Sequence, residues 1–125
     1  MRLLLDTHVA LCWLNDPGRL DEPAREAIAD GANEVGVSAA SVWEATLKTA
    51  TGRLGIPAPF VAGLRRARLD ELPITWAHTQ RVSRLPEHHR DPSGPILVAQ
   101  ALEDGYVLVR RDPAIGRYPV PTLTA

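Results

Sequence analysis

The sequence lacks the features of a secreted, disulfide-linked or membrane-embedded protein. Its 125 residues include one cysteine, Cys12, which cannot form an internal disulfide and is in keeping with a reducing compartment. No apolar run approaches the roughly 18 residues of a membrane span. The N-terminus has neither the basic start nor the long apolar core of a secretory signal. These absences predict a cytoplasmic protein with no membrane association.

A strong excess of positive charge is also missing. The net charge is −1, so the chain lacks the global basic field that many nucleic-acid-binding proteins show. Part of the positive charge is nevertheless clustered, at positions 65–68, 81–90 and 110–111. Local basic stripes around an acidic centre suit an enzyme that holds a polyanion near a metal. Solvated faces with no such role are the alternative for each cluster.

What is present is an alternation of short apolar strands with helical segments, within a length that suits one domain over residues 1–125. The most apolar predicted strands are at residues 3–5 and 106–109, and Pro73 predicts an edge position for a strand at 72–75. The remaining predicted strands are at 34–37 and around Val120. This order predicts an α/β fold with a central, mostly parallel sheet flanked by helices.

Acidic residues follow the predicted strands. Asp6 and Asp112 each stand just past an apolar strand, at the edge where α/β sheets bind ligands. Glu44 lies about one turn into the helix after another strand, and Asp91 lies in the loop before the helix that leads to Asp112. Two carboxylates about 4 Å apart repel by about 4 kcal/mol at an effective dielectric near ~20. A convergent cluster therefore favours a cation, and oxygen ligands select Mg²⁺ or Mn²⁺.

Each acidic residue also has a local structural role available. Asp6 can cap the helix that follows it. Glu44 has capping-box spacing from Ser41 and ion-pair spacing to Lys48. The other two acidic residues each precede a proline, where aspartate commonly starts a turn. These roles remain open for every position taken singly.

Several motifs in order carry a family resemblance. They are LLLDTH (3–8), SAASVWE (38–44) with Lys48, GRL (52–54), ELPIT (71–75), LPEHHRDP (85–92), LVAQA (97–101) and LVRRDP (108–113). Together they resemble the PIN-domain ribonucleases of bacterial and archaeal toxin–antitoxin pairs, the VapC toxins, over nearly the whole chain.

The resemblance implies a PIN-like fold and a Mg²⁺- or Mn²⁺-dependent endoribonuclease that hydrolyses RNA phosphodiester bonds. It also implies a VapB-like antitoxin as partner, RNA as substrate and a homodimer. The predicted site residues are Asp6, Glu44 and Asp112 for catalysis, Asp6, Asp91 and Asp112 for the metal, and Arg110 and Arg111 for RNA.

Two departures from the family pattern bear on activity. Gly94 and Pro95 stand where the family motif DPFDR has its second aspartate and its arginine, and Arg110 replaces the threonine of Thr-x-Asp. In one interpretation Arg110 satisfies the remaining acids in place of a metal. The protein is then a catalytically weakened or inactive PIN-domain protein that binds RNA or an antitoxin without cleavage. In the other interpretation Arg110 turns outward to RNA phosphate and activity is retained with reduced metal affinity, which is our prediction.

Overall fold

The computed structural model of the chain describes residues 1–52, 59–86 and 93–125. Three features named in the sequence analysis lie outside these ranges. They are the metal-ligand candidate Asp91, the basic residues at 88–90, and Arg53 with Leu54 of the GRL motif.

The sheet has five parallel strands in the order β3-β2-β1-β4-β5, which confirms the predicted α/β fold. The central strand β1 pairs with β2 on one side and with β4 on the other, so the residues that follow β1 and β4 emerge side by side. The strands are β1 Arg2–Leu5, β2 Glu34–Ser38, β3 Asp70–Leu72, β4 Val107–Arg110 and β5 Thr122–Thr124.

Helices cover both faces of the sheet. Leu3 and Leu5 pack into one apolar cluster and Leu4 into another, and all three are fully buried. Burial on both faces explains why the first strand is an uninterrupted apolar run. In the part of the chain that the structure describes, no helix is long and apolar enough to cross a membrane. The helices are α1 Thr7–Asn15, α2 Glu22–Ala29, α3 Ala39–Ala50, α4 Phe60–Arg66, α5 Trp76–Val82 and α6 Ser93–Asp104, with 3₁₀ turns at Pro17–Arg19 and Ile115–Arg117.

The predicted element boundaries were wrong around the edge strand. The preceding helix ends at Arg66, and the chain turns through Arg68, whose φ is 59°. The strand predicted at 72–75 is Asp70–Leu72, because Thr75 caps α5 by accepting a hydrogen bond from the His78 amide at 3.3 Å. The predicted edge position of this strand is confirmed.

The last long helix, α6, begins at Ser93 and contains the LVAQA motif. Pro95 lies in its first turn, where the missing N–H has no helical acceptor and proline is tolerated.

Candidate active site

Asp6 is held at the carboxyl end of the central strand by backbone amides. Its Oδ1 accepts a hydrogen bond from the Val9 amide at 2.8 Å, which caps α1, and its Oδ2 accepts one from the Arg111 amide at 2.8 Å. The residue is 3% exposed. The predicted capping role is therefore confirmed, but it uses only one of the two carboxylate oxygens. The other is bound by the chain that leaves β4.

The electrostatic state of Asp6 follows from this burial. Desolvation raises the pKa of the carboxyl, while hydrogen bonds from the amides of Val9, Arg111 and Asp112 and the charge of His8 act in the opposite direction. In the described ranges no lysine or arginine forms an ion pair with Asp6. A buried carboxylate held by backbone amides, with no ion-pair partner among the described residues, is suited to bind a cation.

Glu44 is joined to both α1 and its own helix. Its Oε1 accepts a hydrogen bond from the Thr7 hydroxyl at 2.8 Å, and its Oε2 lies 2.9 Å from Nζ of Lys48. Since Thr7 directly follows Asp6, the first contact connects the two predicted catalytic acids through one residue. The predicted ion pair with Lys48 is confirmed.

The capping-box alternative for Glu44 was wrong. The α3 cap is Ser38, whose hydroxyl accepts a hydrogen bond from the Ala40 amide at 3.0 Å. Ser41 lies inside the helix and is buried. Glu44 is thus too far along α3 to return to its N-terminal amides.

Asp112 begins the turn that follows β4. Its Oδ1 accepts a hydrogen bond from the Ala114 amide at 2.9 Å, which confirms the predicted turn role. Its own amide contributes to stabilising the charge of Asp6. The Asp112 backbone is therefore adjacent to Asp6, while its carboxylate is half-buried at the same edge of the sheet.

The acids at this edge have the oxygen-donor chemistry that hard divalent cations require. Within residues 1–52, 59–86 and 93–125, however, no three His, Cys, Asp or Glu side chains are close enough to share one ion. Gly94 is buried in the first turn of α6 and adds no carboxylate. The fit to a metal thus rests on the donor type and on the burial of Asp6.

Arg110 ends β4 rather than following it, and its guanidinium lies over the next turn. A Cβ at Gly116 would lie 2.9 Å from Nη2 of Arg110, so the glycine makes room for this side chain. Nη1 donates a long hydrogen bond of 3.4 Å to the Asp112 carbonyl. Nε is buried without a hydrogen-bond partner, and Arg110 pairs with no carboxylate among the residues that the structure describes.

The Arg111 side chain does not follow that of Arg110, and its guanidinium donates hydrogen bonds to three other segments of the chain. Its Nε donates to the carbonyl of Ala125 at 3.0 Å and its Nη1 to Sγ of Cys12 at 3.7 Å. Nη2 donates to the carbonyl of Arg19. These bonds hold the guanidinium as one wall of a cleft beside α1.

Thr7 and Gly116 are contributors that the sequence analysis missed. Thr7 had a signal, because a hydroxyl residue next to a strand-end aspartate can reach a neighbouring helix. Gly116 had none, since its role depends on the path that the Arg110 side chain takes.

The carboxyl edge of the parallel sheet carries acidic residues that follow β1 and β4 and one that lies on α3. These features are typical of α/β proteins with an acidic site at the carboxyl ends of their strands. The PIN domain family model matches residues 3–121. The chain belongs to the PIN-domain family, which confirms the predicted resemblance.

Individual relatives agree with this assignment. The chain is 31% identical over 124 residues to Ribonuclease VapC22 of Mycobacterium tuberculosis, with 95% of each sequence covered. Among solved structures it is similar to VapBC2 from Rickettsia felis bound to a DNA fragment from its promoter, with a TM-score of 0.74, 14% identity, and 99% and 98% of the two chains covered. DNA-bound VapBC from Salmonella typhimurium gives a TM-score of 0.70 and 17% identity over 99% and 98% of the two chains. At these identities the structural likeness shows the fold.

Proposed function

We propose that the chain is the toxin of a VapBC-like toxin–antitoxin module and acts as a metal-dependent endoribonuclease that hydrolyses RNA phosphodiester bonds. The observation that carries this proposal is the buried Asp6 carboxylate at the carboxyl edge of a PIN-domain sheet, held by two amides and without a cationic side-chain partner among the described residues. The likeness to a protein named a ribonuclease supports it.

In this proposal Asp6, Glu44 and Asp112 carry catalysis, and Asp6 and Asp112 bind the metal together with Asp91. Bound Mg²⁺ or Mn²⁺ supplies Lewis acidity at the phosphate. Burial and amide hydrogen bonds keep Asp6 in one orientation. Each oxygen of Glu44 accepts one hydrogen bond from the protein, which leaves a further lone pair on each to orient the attacking water.

We assign different roles in RNA binding to Arg110 and Arg111. Arg110 is held over Gly116, where its Nε is buried and its Nη1 donates a long hydrogen bond of 3.4 Å to the Asp112 carbonyl, so we assign phosphate binding to Nη2. Arg111 has donors engaged with the carbonyls of Ala125 and Arg19 and contributes mainly positive potential.

We also propose a VapB-like antitoxin as partner, a homodimeric assembly and a cytoplasmic location. The first is supported by the likeness to VapBC assemblies. The dimer rests on the family resemblance, and the location on the reducing environment that one cysteine favours.

The test is incubation of single-stranded RNA, labelled at one end, with the purified chain in Mg²⁺, in Mn²⁺ and in EDTA. The proposal predicts internal cleavage with metal, none in EDTA, and none with Asp6→Asn. Cleavage of equal rate by Asp6→Asn would assign the activity to a contaminant and overturn the proposal.

A non-catalytic PIN-domain protein that binds RNA or an antitoxin is the second candidate. It is favoured by the 2.9 Å ion pair that occupies Glu44 and by the lack of an acid at Gly94. Gly94 shares a helix face with Leu97 and Val98, which pack towards the sheet, so an aspartate there would face the sheet. Gly94→Asp should raise metal affinity and cleavage sharply under this candidate and change them little under the first. Gly31→Asp, at an exposed turn with nothing near its Cβ position, is the matched control.

A further inference from the structure

A cleft of about 550 Å³ opens beside the acidic edge. Its volume lies within the range of small-ligand sites. One long side is a face of α1, because its residues there are spaced by three or four positions. The lining includes His8, Leu11, Cys12, Asn15, Arg111 and Asp112.

The cleft extends well beyond the proposed catalytic centre. Asp112 is at one end, whereas Asn15 and Asp16 lie at the end of α1. The seven-residue rise from His8 to Asn15 corresponds to about 10 Å. A cleft of this length can accommodate the nucleotide next to the phosphate at which RNA would be cleaved. The Arg111 guanidinium forms one wall of the cleft, and it is held in place because it donates hydrogen bonds to two backbone carbonyls and to Sγ of Cys12.

The chemistry of the lining matches a nucleobase. Leu11 and Cys12 offer apolar surface to a flat ring, and the exposed His8 imidazole offers a stacking face. Asn15 is exposed and presents both a donor and an acceptor. A planar ring with polar edges uses all of these groups at once.

Asp16 adds a hydrogen-bond acceptor to the lining of the cleft. Its carboxylate is exposed, accepts no hydrogen bond from the described residues, and lies near Gly18, where a Cβ would be 3.4 Å from Oδ1. A carboxylate accepts hydrogen bonds only. Guanine presents two adjacent donors, N1–H and the N2 amine, on its Watson–Crick edge. Adenine has the acceptor N1 in that place, which an anionic oxygen repels.

We propose that this cleft binds a guanine base of single-stranded RNA next to the cleaved phosphate, with Asp16 accepting hydrogen bonds from N1–H and the N2 amine. Its position relative to the cleaved bond rests on the proposed ribonuclease function. Guanine binding itself does not depend on that function and is measurable without catalysis.

The experiment is fluorescence anisotropy of labelled oligouridylates that carry one central guanosine, inosine, adenosine or uridine, with the wild-type chain in EDTA. Affinity should fall in the order guanosine, inosine, adenosine, with about a tenfold difference between the first and the last. Asp16→Asn should abolish the preference for guanosine over adenosine. Asp21→Asn, an exposed aspartate outside the cleft without a side-chain capping bond, is the matched control and should retain it.

Two results would overturn the inference: equal affinity of the wild-type chain for the four oligonucleotides, or a guanosine preference that Asp16→Asn retains. The outcome is separable from that of the proposed function. A preference for guanosine in EDTA, together with no RNA cleavage in the presence of metal, would support guanine binding in the cleft and contradict the proposed ribonuclease activity. RNA cleavage without a preference for guanosine in the binding experiment would support the proposed ribonuclease activity and contradict guanine binding in the cleft.

Discussion

The hydroxyl of Thr7 donates a hydrogen bond of 2.8 Å to Oε1 of Glu44 and so joins the residue after Asp6 to the helix after β2. This hydrogen bond links Glu44 on α3 to the residue that follows Asp6, so it connects two of the predicted catalytic acids through Thr7. Lys48 holds the second oxygen of Glu44. The geometry of the acidic edge therefore depends on neutral and cationic neighbours as much as on the acids.

Thr7→Val should remove the hydroxyl while keeping the shape of the side chain. A hydrogen bond to a charged group contributes about 1.5–3 kcal/mol, so the free energy of unfolding should fall by about that amount. RNA cleavage should fall by about tenfold or more, since a freed Glu44 no longer keeps its position. Thr46→Val on the exposed side of α3 is the control, because its hydroxyl bonds only its own helix. Equal effects of the two changes would contradict the role of Thr7.

Lys48→Met should remove a positive charge that lies 2.9 Å from Glu44 and close to the proposed metal site. The side chains of Lys48 and Glu44 are 33% and 14% exposed, and removal of such a pair should lower the free energy of unfolding by less than about 1 kcal/mol. Mg²⁺ affinity, measured by calorimetry, should rise several-fold because a competing cation is gone. Arg81→Met breaks the 2.8 Å pair with Glu103 and should leave metal binding unchanged. A loss of metal affinity in Lys48→Met would contradict electrostatic repulsion of the metal by Lys48.

The stability of the wild type relative to Asp6→Asn should depend on pH. Burial raises the pKa of Asp6 above its ordinary value of 3.8, so the folded chain keeps this proton to higher pH than the unfolded chain does. The free energy of unfolding of the wild type should therefore fall, relative to that of the variant, as the pH rises from 3.8 through the higher pKa that Asp6 has in the folded chain. Urea unfolding in EDTA from about pH 4 to about pH 7 measures the difference. A rise in the stability of the wild type relative to Asp6→Asn with rising pH would contradict the direction of the shift.

Gly116→Ala should displace the Arg110 guanidinium without changing the charge of the chain. A Cβ would lie 2.9 Å from Nη2, at the far end of a flexible side chain, so stability should change by less than about 1 kcal/mol. RNA affinity in EDTA should fall, and the slope of log affinity against log salt should become shallower by about 1. Gly31→Ala, with nothing within 4 Å of the added Cβ, should alter neither quantity. An unchanged slope in Gly116→Ala would exclude Arg110 as a phosphate contact.

Sequence reasoning worked best where burial dictates the pattern. The apolar run before Asp6 predicted a strand buried on both faces, and Pro73 predicted the edge of the sheet, because both follow from backbone hydrogen bonding. The strand after α6 was also predicted, but Arg110 proved to belong to it.

Long side chains were less predictable. Arg110 and Arg111 are adjacent, yet one lies over Gly116 and the other reaches Ala125 at the end of the described chain. Alternation along a strand sends neighbours to opposite faces, but the partners available there are set by distant segments. The Thr7 contact with Glu44 likewise depends on how α1 and α3 pack.

The central claim is that the acidic edge around Asp6 binds a divalent cation, and calorimetric titration of the purified chain with Mg²⁺ and Mn²⁺ tests it most directly. We expect the wild type to bind the metal and Asp6→Asn to abolish this binding. No heat of binding at about millimolar metal, or binding that survives Asp6→Asn, would contradict it.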